Sequence, residues 1–190
     1  KAGNNRNFIA QNFNDEGLKI IQVGRLNTVK NHQFTLKIAE ELKNRNIDFT
    51  LYIIGQGPLE SSIKQEIQKK SLSKNVKMLG IRSDITELMA SADFMIMPSF
   101  HEGFPVVLVE SQTVGLHAVV SDRVSMEVDL GLGLVEFLPI SSAKEWADYL
   151  EKPNSKKVFN SAIYQKIRSS GFDVIENSIN LSKFYKSCYE

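Results

Sequence analysis

The chain has 190 residues, 42% of them hydrophobic, and 23 Lys+Arg against 22 Asp+Glu for a net charge of +1. That composition suits one globular domain with a sizeable core and argues against a nucleic-acid binder held by a basic face. A single cysteine, Cys188, excludes an internal disulfide framework and a four-cysteine zinc site and fits a reducing compartment, and no apolar run reaches the roughly 18 residues of a membrane span.

The chain opens on Lys1, with neither Met nor a basic-then-apolar leader, so a piece of a longer protein is the expectation. Residues 1–17 are polar and rich in asparagine. They read as a linker, with one short extended stretch at Phe8-Ile9-Ala10. From there, short apolar runs alternate with amphipathic segments. Strands are expected over 19–23, 49–54, 76–79, 94–97, 117–121 and 134–137. Leu51-Tyr52-Ile53-Ile54 and Phe94-Met95-Ile96-Met97 are continuously apolar, as suits parallel strands covered on both faces. Helices are expected over 30–46, where Phe34, Ile38 and Leu42 form one stripe, and over 59–70, where Leu59, Ile63 and Ile67 do the same. Ser83 is the expected N-cap of a helix over 84–91, and Pro105 the expected first helical position before 106–114. Further helices are expected over 142–151, 155–169 and 172–189, the last two parted by Gly171. The repeated alternation implies an α/β fold: a doubly wound, mostly parallel sheet with two extra C-terminal helices.

In such sheets ligands bind at the carboxyl ends of the strands, so the loops there are the places to inspect. Gly24-Arg25-Leu26-Asn27-Thr28-Val29-Lys30 puts two cations on a loop that enters a helix N-terminus. Together with free helix N–H groups they would clamp a diphosphate; solvated surface charges account for the pair equally well. Gly55-Gln56-Gly57-Pro58 lacks the third glycine of a dinucleotide fingerprint, because that position is Glu60. A Gly-Pro turn opening a helix explains it as well as a ligand contact does. Gly80-Ile81-Arg82-Ser83-Asp84 reads, by itself, as a turn.

The loop after the fourth strand, Pro98-Ser99-Phe100-His101-Glu102-Gly103-Phe104-Pro105, is the most informative. Glu110 follows inside the apolar run Val106-Val107-Leu108-Val109. A carboxylate there needs hydrogen-bonding partners, such as paired sugar hydroxyls, or must face solvent. His32, His101 and His117 show no metal-ligand spacing. Lys69-Lys70 and Lys156-Lys157 read as solvated helix faces.

Taken in order, Gly24-Arg25…Lys30-Asn31, Ile54-Gly55-Gln56-Gly57-Pro58-Leu59, Leu79-Gly80 and Glu102-Gly103-Phe104-Pro105…Glu110 resemble the C-terminal domain of GT-B glycosyltransferases, in the large retaining family numbered four. The resemblance covers about residues 18–151. It implies that residues 18–190 form a Rossmann-like domain that binds a nucleotide-sugar donor. It further implies transfer with retention to a glycan or lipid-linked acceptor, which is held by an N-terminal domain outside this chain. Arg25 and Lys30 would hold the diphosphate and stabilise the departing nucleotide, and with Glu102 they are the implied catalytic residues. Gly24 and Gly55 would let the backbone approach. Glu102 and Gly103 would lie at the donor sugar, with the backbone from Phe104 through Pro105 and Val106 to Val107 near sugar and phosphates. Glu110 would take the ribose hydroxyls, and the turn from Ile81 to Ser83 the base.

No metal or other cofactor is expected. A cytoplasmic setting, with the full-length enzyme peripheral at the inner face of the membrane, is implied. Where many relatives carry Gly-Leu-Pro this chain has Gly115-Leu116-His117, and 121–128 resembles the subgroup that makes bacterial capsular or exopolysaccharides. The two terminal helices resemble the crossover onto the N-terminal domain. A sugar-nucleotide 2-epimerase of the same fold and a non-catalytic nucleotide-binding module are the alternatives. The isolated piece is expected to bind donor without catalysing transfer.

Overall fold

Period-two alternation within each apolar run divides its side chains between two layers. The computed structural model describes residues 17–152 and 161–188. In it the runs become six strands: β1 Leu18–Val23, β2 Phe49–Ile54, β3 Val76–Gly80, β4 Phe94–Met97, β5 His117–Ser121 and β6 Val135–Leu138. All pair in parallel, in the order β3-β2-β1-β4-β5-β6. The order reverses between β1 and β4, which makes their carboxyl ends the topological switch point.

The helices are α1 His32–Asn44, α2 Glu60–Lys69, α3 Ile85–Ser91, α4 Val106–Thr113, α5 Ala143–Leu150, α6 Ser161–Ser169 and α7 Val174–Ser187. On one face, Ile20, Leu51, Ile53, Phe94 and Ile96 pack against Phe34, Ile38, Leu42, Ile63, Ile67, Trp146 and Leu150. On the other, Ile21, Val23, Tyr52, Ile54, Met95 and Met97 meet Leu88, Met89, Leu108 and Val114. Neighbouring residues of one strand serve opposite cores, which is why the runs 51–54 and 94–97 are apolar throughout. Trp146 is fully buried and meets Phe34 edge-on at 5.6 Å, locking α5 to α1.

Two expected caps are corrected. Asp84, not Ser83, occupies the N-cap of α3, and its side chain does not cap. Its carboxylate instead binds the Arg82 guanidinium through both oxygens, at 2.8 and 2.6 Å. Pro105 stands at the N-cap of α4 with extended backbone, and Val106 is the first helical residue. The helix expected from residue 30 starts at His32, because a 3-10 turn over Thr28–Lys30 comes first and Asn31 takes the left-handed conformation, φ 51°. That break frees Lys30 from the helix proper. The stretch at Phe8-Ile9-Ala10, the lead-in up to residue 16 and the first six residues of the helix expected from 155 lie outside the described residues.

Asp173 caps α7 by accepting from Ile175 and Glu176 N–H at 3.0 and 2.9 Å. No residue of α7 is buried, and Val174, Ile175, Leu181, Phe184 and Tyr185 are all exposed. The turn before it reaches back to the sheet domain: Phe172 stacks on Phe104 at 5.6 Å with the rings 14° apart.

Candidate donor site at the switch point

A cleft of about 740 Å³ opens at the carboxyl ends of β1 and β2 and the start of α3. Of the residues expected at a ligand, Gly24, Arg25, Gly55 and Ile81 line it. The Gly55-Gln56-Gly57-Pro58 loop forms one wall, and Arg82 and Ile85 belong to another.

Two glycines are required by the way the loops cross. Gly55 has φ 137°, and a Cβ there would lie 2.0 Å from the Gly24 carbonyl oxygen. Gly57 is the second: a Cβ would come within 2.4 Å of the Leu26 carbonyl oxygen. Backbone bonds fasten the same crossing, with Gly24 N–H donating to Ile54 C=O at 2.9 Å and Leu26 N–H to Gln56 C=O at 3.0 Å. The first and second strand loops therefore form one floor, with main chain where side chains would otherwise stand.

Lys30 leans over Gly24, where a Cβ would come within 2.8 Å of its Cε. Its ammonium lies 2.7 Å from Glu102 Oε1, and both side chains are mostly covered. Lys30 follows β1 and Glu102 follows β4, so the pair straddles the switch point. Three links hold the two loops in place. Asn31 Nδ2 donates to Pro98 C=O at 3.0 Å, Phe100 N–H donates to Val29 C=O at 2.9 Å, and Glu102 bridges to Val124 in parallel.

Arg25 is exposed at the cleft and has no ion-pair partner among the described residues. An exposed guanidinium at the cleft suits paired phosphate oxygens, and Lys30, already paired with Glu102, stands over the neighbouring Gly24. His32 is buried at the start of α1 with Nδ1 lacking a hydrogen-bond partner. Burial lowers its pKa to about 4; a bond with the Asn27 backbone opposes that and Lys30 adds to it. It is thus neutral at pH 7 and adds no charge to the site. Arg82, the remaining cation of the cleft, has its charge matched by Asp84, which raises the Arg82 pKa and lowers that of Asp84.

Other expected residues sit apart from the cleft lining. Ser83 is exposed beyond Arg82. Gly103 has open space around it, and Phe104 and Val106 are exposed at the start of α4. Pro105 is buried, Val107 partly so, and Glu110 is exposed on α4. The bare carboxylate in an apolar run is explained by helical geometry, since its neighbours Leu108 and Val109 are buried while Glu110 faces solvent. Arg82, Glu60 and Ile85 line the cleft without having been singled out as binding residues. Arg82 adjoins Ile81 in the turn, but its inward placement depends on Asp84. Among the described residues no group of three or more His, Cys, Asp or Glu is placed to hold a metal ion.

Comparison with known proteins gives a family and a fold. The family model described as Glycosyl transferases group 1 matches residues 4–163. The Bacillus subtilis (strain 168) protein EpsF is 40% identical over 165 residues, covering 84% of this chain and 42% of its own length. The capsular polysaccharide biosynthesis glycosyltransferase CapH of Staphylococcus aureus is 27% identical over 186 residues, covering 94% and 50%. Among solved structures, Anabaena Alr3699/HepE in complex with UDP has a TM-score of 0.78 at 21% identity, over 98% of this chain and 54% of its own. The chain spans about half the length of these relatives.

Proposed function

The chain belongs to the glycosyl transferases group 1 family, and from that premise we propose that it is the donor-binding half of an enzyme that moves a sugar from a nucleoside diphosphate to a glycan or lipid-linked acceptor. The observation that carries this reading is the Lys30–Glu102 pair at 2.7 Å across the switch point, with Arg25 exposed at the cleft and without an ion-pair partner among the described residues.

When the bond between sugar and diphosphate breaks, negative charge grows on the leaving diphosphate. Cations fixed before the reaction stabilise that state more than the bound donor. Lys30 is held in place by its carboxylate partner and by the backbone beneath it, so little reorganisation is needed. Arg25 is free to fork onto two phosphate oxygens. Glu102, already one arm of the pair, orients the sugar by accepting from its hydroxyls, and fixing that orientation itself lowers the barrier. The exposed Glu110 carboxylate, on α4 outside the cleft lining, would take the ribose hydroxyls, and the turn at Ile81 and Arg82, which lines the cleft, would take the base. Uridine diphosphate is the ligand of choice because HepE is seen with UDP. Charge neutralisation by Arg25 and Lys30 would make binding independent of added divalent metal.

The exposed apolar residues of α7 support an N-terminal, acceptor-binding domain seated against the terminal helices. An Escherichia coli relative, 33% identical over 103 residues, is a galactosyltransferase acting on a GlcNAc-diphosphoundecaprenol. A lipid-linked acceptor of that type would bring the whole enzyme to the inner face of the membrane. No helix among the described residues is long and apolar enough to cross one. Family membership favours transfer over the epimerase reading, which would use the same clamp.

The test is calorimetric titration of this chain with UDP and UDP-sugars, with and without EDTA. Binding is expected in both conditions, and Arg25→Ala and Glu110→Ala should each weaken it about tenfold or more, the loss of one charge-assisted contact. Absence of binding, or binding indifferent to both changes, refutes the site.

A further inference from the structure

Beneath the ion pair lies a set of buried polar side chains that no catalytic role has yet absorbed. Gln22 is the last residue but one of β1, on the same face as Ile20, and it is only 3% exposed. An amide in that place must be satisfied at both ends. Its Nε2 donates to the Lys30 backbone carbonyl at 2.9 Å, and its Oε1 accepts from the Thr35 hydroxyl at 2.8 Å. A carbonyl can only accept, so the amide nitrogen must face Lys30 and the orientation follows. The Lys30 N–H is held as well, donating to Asn27 Oδ1 at 3.2 Å. Both backbone polar atoms of Lys30 therefore end on side chains, at the point where the 3-10 turn gives way to α1.

An apolar residue could fill the Gln22 position as Ile20 does one step earlier on the same face, but it would take this partner from the Lys30 carbonyl and from the buried Thr35 hydroxyl. The sheet itself has no use for the amide; its partners are the residue whose ammonium reaches Glu102 and the helix residue behind it.

We propose that Gln22, braced by Thr35, is a positioning residue for Lys30: it fixes the carbonyl of the residue that carries the site's covered positive charge, and so sets where that charge meets a nucleoside diphosphate. This rests on the reading of the site given under Proposed function. Displacement of a charge by about 1 Å is enough to lose much of its effect on a bound group.

The experiment is an NMR titration with UDP and, separately, uridine, which reads weak binding. It uses five chains: the unaltered protein, Gln22→Met, Lys30→Ala, the double variant of these two and Thr35→Val, each checked by thermal unfolding. Gln22→Met should weaken UDP about five- to tenfold, leave uridine unchanged, and add nothing further in the Lys30→Ala background. Thr35→Val, which keeps Gln22 but removes its brace, should weaken UDP in the same direction by less; it carries the test should Gln22→Met not fold. A loss that adds fully to that of Lys30→Ala, or one that extends equally to uridine, means general loosening and overturns the proposal. So does UDP affinity unchanged by Gln22→Met or Thr35→Val while Lys30→Ala loses it. An unaltered chain that takes no UDP, or Lys30→Ala binding UDP as before, refutes the site reading itself and this inference with it.

Discussion

Replacing His32 by glutamine isolates one titrating group from the rest of the protein. In the folded chain the imidazole is buried at the start of α1, and its pKa falls from 6.5 to about 4, chiefly through that burial, with the Lys30 ammonium adding to the effect. In the unfolded chain it titrates normally. Below pH 6.5 the unfolded state therefore takes up a proton that the folded state refuses. The stability supplied by the neutral imidazole is complete above pH 6.5, declines as pH falls, and is exhausted near pH 4, where the folded form also binds the proton. At about 1.4 kcal/mol per pH unit, the gap corresponds to about 3 kcal/mol in all and about 2 kcal/mol by pH 5. Urea unfolding followed by fluorescence of the single tryptophan, the fully buried Trp146, measures this directly. The carboxylates titrate in both proteins and drop out of the comparison. The stability difference between the unaltered chain and His32→Gln should shift by about 2 kcal/mol between pH 7 and pH 5, with the histidine protein the one that loses. A difference that stays flat over that range means the imidazole titrates freely in the fold, and the account of its burial is wrong.

Gly55→Ala should destabilise by more than about 2 kcal/mol and abolish UDP binding, because its Cβ would lie 2.0 Å from the Gly24 carbonyl oxygen at a φ of 137°; normal stability in chemical denaturation would contradict the crossing of the two loops. Gly103→Ala, with nothing within 4 Å, is the control and should change stability by less than about 0.5 kcal/mol. Trp146→Ala should cost about 3–5 kcal/mol through the cavity left between α5 and α1, read as a lowered urea midpoint. Arg45, itself mostly covered, reaches Glu41, Asp148 and Glu151 at 2.8, 2.7 and 2.6 Å, and these partners are a third to a half exposed. Arg45→Ala should therefore lower stability by only about 1 kcal/mol at low ionic strength and by less in 1 M salt.

Much of the fold is legible along the chain because its determinants are local. The runs 49–54 and 94–97 reappear as β2 and β4 with the same bounds, since a strand covered on both faces is apolar at nearly every position, with Thr50 the polar member of β2. The stripe Phe34, Ile38, Leu42 is buried as its spacing requires. The caps were less legible. Ser83 and Asp84 are both good cap residues, and the outcome turned on Asp84 binding the neighbouring Arg82. The 3-10 turn over Thr28–Lys30 is equally hidden, since it depends on Asn31 reaching Pro98, 67 residues away.

The order of loop motifs, read in one dimension, already determines the family and the chemistry on offer: two cations after the first strand, two carboxylates at and beyond the fourth, glycines after the first and second. Residue type and order suffice for that, because phosphate needs cations and close backbone approach needs absent side chains. Distance along the chain says nothing of which cation meets which carboxylate. Only the sheet order, which sets β1 beside β4, brings Lys30 to 2.7 Å from Glu102, with Arg25 left without an ion-pair partner among the described residues. Only the packed core turns Gln22, an unremarkable residue of a strand, toward the Lys30 carbonyl, because a buried amide takes its partners from whatever the tertiary structure places against it.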